Sequence, residues 1–108
     1  MIKQLENLPS IKTSHGYGEK NVFVTKQDVL TNLTQVAVGK LTEGDIIESH
    51  KHPTMEEYYF FLDGKAIFTI DCKDFECKKN TFVLVPINVM HCLKTKDFVK
   101  FIYWGVSI

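Results

Sequence analysis

From Val22 onward, short runs of β-branched and aromatic residues alternate with turn residues, and no stretch sustains the 3.6-residue period of an amphipathic helix. The pattern predicts strands over Val22–Thr25, Leu33–Leu41, Ile46–His52, Glu57–Leu62, Lys65–Asp71, Phe75–Lys78, Thr81–Val85, Met90–Lys94 and Val99–Val106. Breaks are expected at Thr42–Asp45, Pro53, Asp63-Gly64, Cys72–Asp74, Lys79-Asn80 and Pro86–Asn88. Asp63-Gly64 falls between two aromatic runs and predicts a two-residue hairpin, because glycine supplies positive φ without a steric cost. Only Lys26–Leu33 has room for a helical turn. Residues 1–20 lack a sustained period and read as an N-terminal arm, leaving 21–108 as one domain, an all-β sandwich or barrel.

Two-residue periodicity sorts the faces. Glu57, Tyr59 and Phe61 share one face, so an inward Glu57 brings Tyr59 and Phe61 to the interior as possible pocket residues. Val99, Phe101 and Tyr103 oppose Phe98, Lys100, Ile102 and Trp104. Both faces of that run are apolar, which predicts cover on two sides and a homodimer. Lys100, set among apolar neighbours, is expected either to snorkel at a rim or to reach an anionic ligand.

Composition narrows the classes. With 108 residues, 13 basic and 13 acidic side chains and no basic stripe, the chain is expected to bind neither nucleic acid nor an anionic membrane. No apolar run reaches the ~20 residues of a membrane span. Three cysteines (Cys72, Cys77, Cys92) and no secretory h-region point to free thiols in the cytoplasm.

The chemistry concentrates in the histidines. His50 and His52 are two apart, so on a strand both imidazoles leave the same face. Glu57 opens the next run and His91 follows another. Three neutral imidazoles and a carboxylate suit one divalent transition metal (Mn, Fe, Ni, Co or Zn) with positions left for water or ligand. His15 reads as an ordinary histidine. Cys92, beside His91 but of opposite parity, is expected to point away.

The run Gly44, five residues, His50-x-His52, four residues, Glu57, six residues, Gly64 resembles the first motif of the cupin superfamily at every fixed position. The second motif is partly kept: Pro86 and His91 stand at their offsets, Asn80 and Asn88 replace two glycines, and Thr95 replaces a terminal Asn. Asparagine tolerates the left-handed backbone better than most residues, so the turns are expected to survive. The resemblance implies a single cupin β-barrel, the double-stranded β-helix or jelly roll, often dimeric. It also implies a metal held by His50, His52, Glu57 and His91. Of the neighbouring carboxylates, Glu57 is preferred over Glu56 because only it leaves six residues to Gly64, and parity turns Glu56 to the other face.

Such a fold hosts many reactions. The expectation is a metal-dependent enzyme on a small polar substrate, a carbohydrate or oxo-acid, with isomerase-like chemistry favoured over a dioxygenase. The alternative is a non-enzymatic small-ligand-binding or sensor module. No residue outside the ligand set is assigned a catalytic role.

Overall fold

The computed structural model describes residues 1–108. Nine strands are present, with only two single 3-10 turns, Leu5–Asn7 and Lys26–Asp28. In chain order the strands are β1 (Ile11–Lys12), β2 (Glu19–Thr25), β3 (Leu33–Thr42), β4 (Ile46–His50), β5 (Met55–Ile70), β6 (Lys73–Lys78), β7 (Phe82–Val85), β8 (His91–Lys94) and β9 (Phe98–Ser107). All pairings are antiparallel. One sheet runs β1-β2-β3-β9-β5-β7, the other β4-β8-β5-β6, and β5 belongs to both. The two sheets close on one apolar core of Leu41, Tyr59, Phe61, Ala66, Phe68, Cys77, Val85, Leu93, Val99 and Phe101. The all-β barrel expected from the pattern is the fold observed.

The expected hairpin at Asp63-Gly64 is absent. β5 runs straight through it for 16 residues. At about 3.3 Å per residue a straight strand of that length spans roughly 50 Å, more than the 35 Å longest dimension of the molecule. It therefore bends, and the register against β9 shifts between Phe61 and Asp63. Gly64 has φ +75°, and a Cβ there would run into the Phe98 carbonyl. Glycine is needed at this site for a bulge, not a turn. The extra residue also switches parity: Glu57, Tyr59 and Phe61 are buried before it, Ala66 and Phe68 after it. The first half of β5 serves one sheet and the second half serves the other.

The tight reversal falls later. Ile70 pairs with Lys73, so Asp71 and Cys72 form a two-residue hairpin loop, both at positive φ without a glycine between them. Asn80 and Asn88 also have positive φ, 74° and 65°, as their replacement of motif glycines requires. Strand Ile46–His52 ends at His50, leaving Lys51 and His52 in the connection to β5. There the His52 carbonyl accepts from the Asn88 N–H at 2.9 Å.

No helix is long and apolar enough to cross a membrane. The N-terminal residues are tied to the sheet: the Asn21 side chain, buried against them, donates to the Leu8 and Pro9 carbonyls at 3.3 and 3.2 Å.

Candidate metal centre

The site forms where the two sheets meet. His50 ends β4 and pairs across the ladder with His91, the first residue of β8. His52 sits in the loop that follows, and Glu57 stands near the start of β5 in the opposite sheet. One potential ligand atom from each of the four lies within 4.8 Å of all the others. Ligand atoms at ~2.0–2.2 Å around a single ion stand about 3–4 Å apart, so a small contraction brings the four into coordination.

The hydrogen bonds prepare these donors. The Nδ1–H of His50 donates to the Glu48 carbonyl at 2.7 Å, and that of His91 donates to the Val89 carbonyl at 2.9 Å. Each bond fixes a tautomer whose Nε2 carries a lone pair, the arrangement seen in metal-binding histidines. His91 Nε2 then lies 3.2 Å from Glu57 Oε1. In that tautomer, two acceptors face each other with no proton between them, which favours a cation at this point. His52 Nε2 is also 3.2 Å from Glu57 Oε1, yet its alignment gives no hydrogen bond, and it is a buried polar atom without a partner. The four donors and this orphaned nitrogen fit a divalent transition metal.

Charge follows the same logic. Burial pushes the Glu57 carboxyl up, but the neighbouring His91 and His52 rings and the Tyr59 hydroxyl together hold it below its ordinary value. Tyr59 O–H donates to Glu57 Oε1 at 3.0 Å. Burial, reinforced by the Glu57 charge, raises the Tyr59 phenol well above its usual range, so it stays a donor. Burial lowers His50 and keeps its ring neutral. Glu56 points to the other face, where it accepts from Tyr58 O–H at 2.6 Å.

Against His50, His52 and Glu57 lies a cavity of about 130 Å³, which His91 does not line. Tyr59 lines it. Phe61 does not, being fully buried in the core beneath. Cys92 has the parity opposite to His91 and Leu93, both buried. Lys100 stands opposite Asp63 and Lys40 in the strand register and does not line the cavity. His15, read as an ordinary histidine from the sequence, does line it, as do Lys20, Gln35 and Tyr103, which carried no site expectation. The His15 ring lies 4.5 Å from that of His50, and burial lowers its pKa. Tyr103 was detectable by parity with Phe101. His15 and Lys20 left no local signal, since only the docking of β1 on β2 and of β2 on β3 brings them to the cavity.

The chain belongs to the cupin family, whose domain matches residues 37–103. It is 40% identical over 42 residues (39% of this chain and 34% of the relative) to an uncharacterized protein of Methanocaldococcus jannaschii. It is 33% identical over 66 residues (61% of this chain and 16% of the relative) to a probable oxalate decarboxylase of Arthroderma benhamiae. The matched stretches thus span about a third or less of these curated relatives. Among solved structures, a predicted oxalate decarboxylase of Thermotoga maritima superposes with a TM-score of 0.93 over 100% of both chains at 19% identity. That likeness is one of fold.

Proposed function

We propose that this cupin is a metal-dependent enzyme acting on a small oxo-acid or carbohydrate, with isomerase-like proton transfer as its chemistry. His50, His52, Glu57 and His91 would hold the ion, which when bound polarises a substrate carbonyl or hydroxyl oxygen. One observation carries this reading: three imidazoles and a carboxylate converge on one point with His52 Nε2 unpartnered.

The protein's own contribution is positional. Tyr59 fixes the Glu57 carboxylate, and the Glu48 and Val89 carbonyls fix two rings. Phe101 and Tyr103 wall the cavity. At about 130 Å³ the cavity falls well below the ~300–1,000 Å³ typical of sites for drug-sized ligands. This favours an oxo-acid of a few carbons over a large sugar.

The test is turnover. Purified protein loaded in turn with Mn, Fe, Ni, Co or Zn is incubated with small oxo-acids and sugars, with and without O2. Product formation lost in Glu57→Ala supports the enzyme. Binding without product under every metal favours the sensor module instead, a reading supported by the engagement of Glu57, the cavity's buried carboxylate, in the ligand set.

Two further expectations belong here. Phe82 and Leu84 are exposed large apolar residues on the outer face, beside a stacked Tyr58–Trp104 pair. This supports a homodimer, and a light-scattering mass near a single 12.5 kDa chain would defeat it. The three free cysteines support a reducing, cytoplasmic setting.

A further inference from the structure

Gln35, Gly105 and Glu57 occupy one row across three adjacent strands, β3, β9 and β5. Strands lie ~4.8 Å apart, so Gln35 and Glu57 stand about 10 Å apart along this row. Gly105 between them carries no side chain, and the Met55 thioether, which also lines the cavity, fills the space over it together with the Thr34 hydroxyl. In the next row Ala37 and Tyr103 are paired, and Tyr103 forms part of the cavity wall.

Lys20, on β2, lines the same cavity as Gln35, His50, His52 and Glu57. Its partner across the ladder is Gly39, which cannot carry a Cβ because the Phe101 ring occupies that space. The Lys20 ammonium donates to Gln35 Oε1 at 3.3 Å and pairs with no carboxylate. Glu19, which also borders the cavity, is engaged by the Ser10 hydroxyl at 3.0 Å. The charged groups of the lining are Lys20, Lys40, Glu19 and Glu57. They cancel, and a divalent ion brings the cavity to a net positive charge. A partly buried ammonium held by a neutral amide, facing such a centre, is built to meet an anion.

We propose that Lys20, steadied by Gln35, is a specificity-determining anchor for a second anionic group of the ligand. The substrate class is then a short dicarboxylate-like acid, one oxygen group directed to the His50–His52–Glu57–His91 centre and a remote carboxylate to Lys20. The inference rests on the metal-centre reading above, and it adds the far end of the molecule. A cavity of about 130 Å³ admits a chain of a few carbons and excludes much more.

Co(II)-loaded protein, with cobalt content measured first, is titrated calorimetrically with succinate and glutarate. Their monoamides, succinamate and glutaramate, are titrated in parallel. The cobalt visible spectrum reports whether each probe reaches the metal. A charge-assisted hydrogen bond of ~1.5–3 kcal/mol corresponds to about 10- to 100-fold in affinity. The expected result is a dicarboxylate at least about tenfold tighter than its monoamide, a preference that collapses in Lys20→Met and returns in Lys20→Arg, with cobalt content unchanged in both. A preference that survives Lys20→Met, or no preference in cobalt-loaded wild type, overturns the proposal. Wild type that takes up no metal defeats the metal-centre reading instead. The same probes are then followed by NMR on metal-free protein, where shifts dependent on Lys20 support the anchor and their absence overturns it.

Discussion

His50 and His91 are direct register partners on β4 and β8, and their rings lie 4.2 Å apart. Two imidazoles this close, each with Nδ1–H given to a backbone carbonyl, turn similar lone pairs toward the same space as Glu57. Without a cation those lone pairs gain nothing from the arrangement. The register that stitches the second sheet thus also sets the spacing of the candidate ligands.

Removing a donor should release the metal. Glu57→Ala and His91→Ala are each expected to lose bound metal in elemental analysis of untagged protein. Tyr59→Phe, which deletes only the hydrogen bond to Glu57, is expected to lower metal affinity by about 10- to 100-fold and to leave the fold intact. Equal metal content in all three variants and wild type would sink the four-residue centre.

Metal removal should also weaken the fold. The donors come from both sheets and from the loop between β4 and β5, so an ion there binds the native state alone and stabilises it by mass action. Chelation is expected to lower the thermal midpoint, and re-addition to restore it, in a differential scanning experiment.

Gly64→Ala should destabilise strongly. The φ of +75° and the collision with the Phe98 carbonyl combine backbone strain and steric overlap, together on the order of 2–4 kcal/mol. Gly44 also has positive φ, with open space around it, and Gly44→Ala should cost only about 1 kcal/mol. Urea unfolding of the two variants checks the order.

Asn80→Gly and Asn88→Gly should be neutral to slightly stabilising, while Asn88→Ala should lose about 1 kcal/mol. Both asparagines have positive φ, a conformation that glycine enters freely. Thermal midpoints of the four proteins provide the comparison.

Burial pushes the Cys77 thiol up to about 11 from 9.0. An acid whose folded pKa is raised favours the native state while protonated. Its contribution is therefore full below about pH 9 and is lost as pH rises through about 11. Cys77→Ala should narrow its stability gap to wild type over that window. At neutral pH a thiol reagent should modify the exposed Cys72 well before Cys77.

Much of this was legible in the sequence, and the misreadings have definite causes. The choice of Glu57 over Glu56 needed only parity and the distance to Gly64, because strand periodicity is local. Asp63-Gly64 misled because one glycine conformation serves both a hairpin and a bulge; which it becomes depends on whether β9 lies alongside. The true hairpin at Asp71-Cys72 has no glycine to mark it. Lys20 and His15 were invisible for a different reason: their places follow from β1 docking on β2 and β2 on β3, contacts that no short window contains.

β9 lies in the middle of its sheet, between β3 and β5, with Leu33 opposite Val106 and Thr42 opposite Phe98. During synthesis β3 therefore emerges long before its partner and must wait with one edge bare. The barrel cannot close until Phe98–Ser107 has been made, so a ribosome stalled short of that strand would carry a sticky, half-finished sheet.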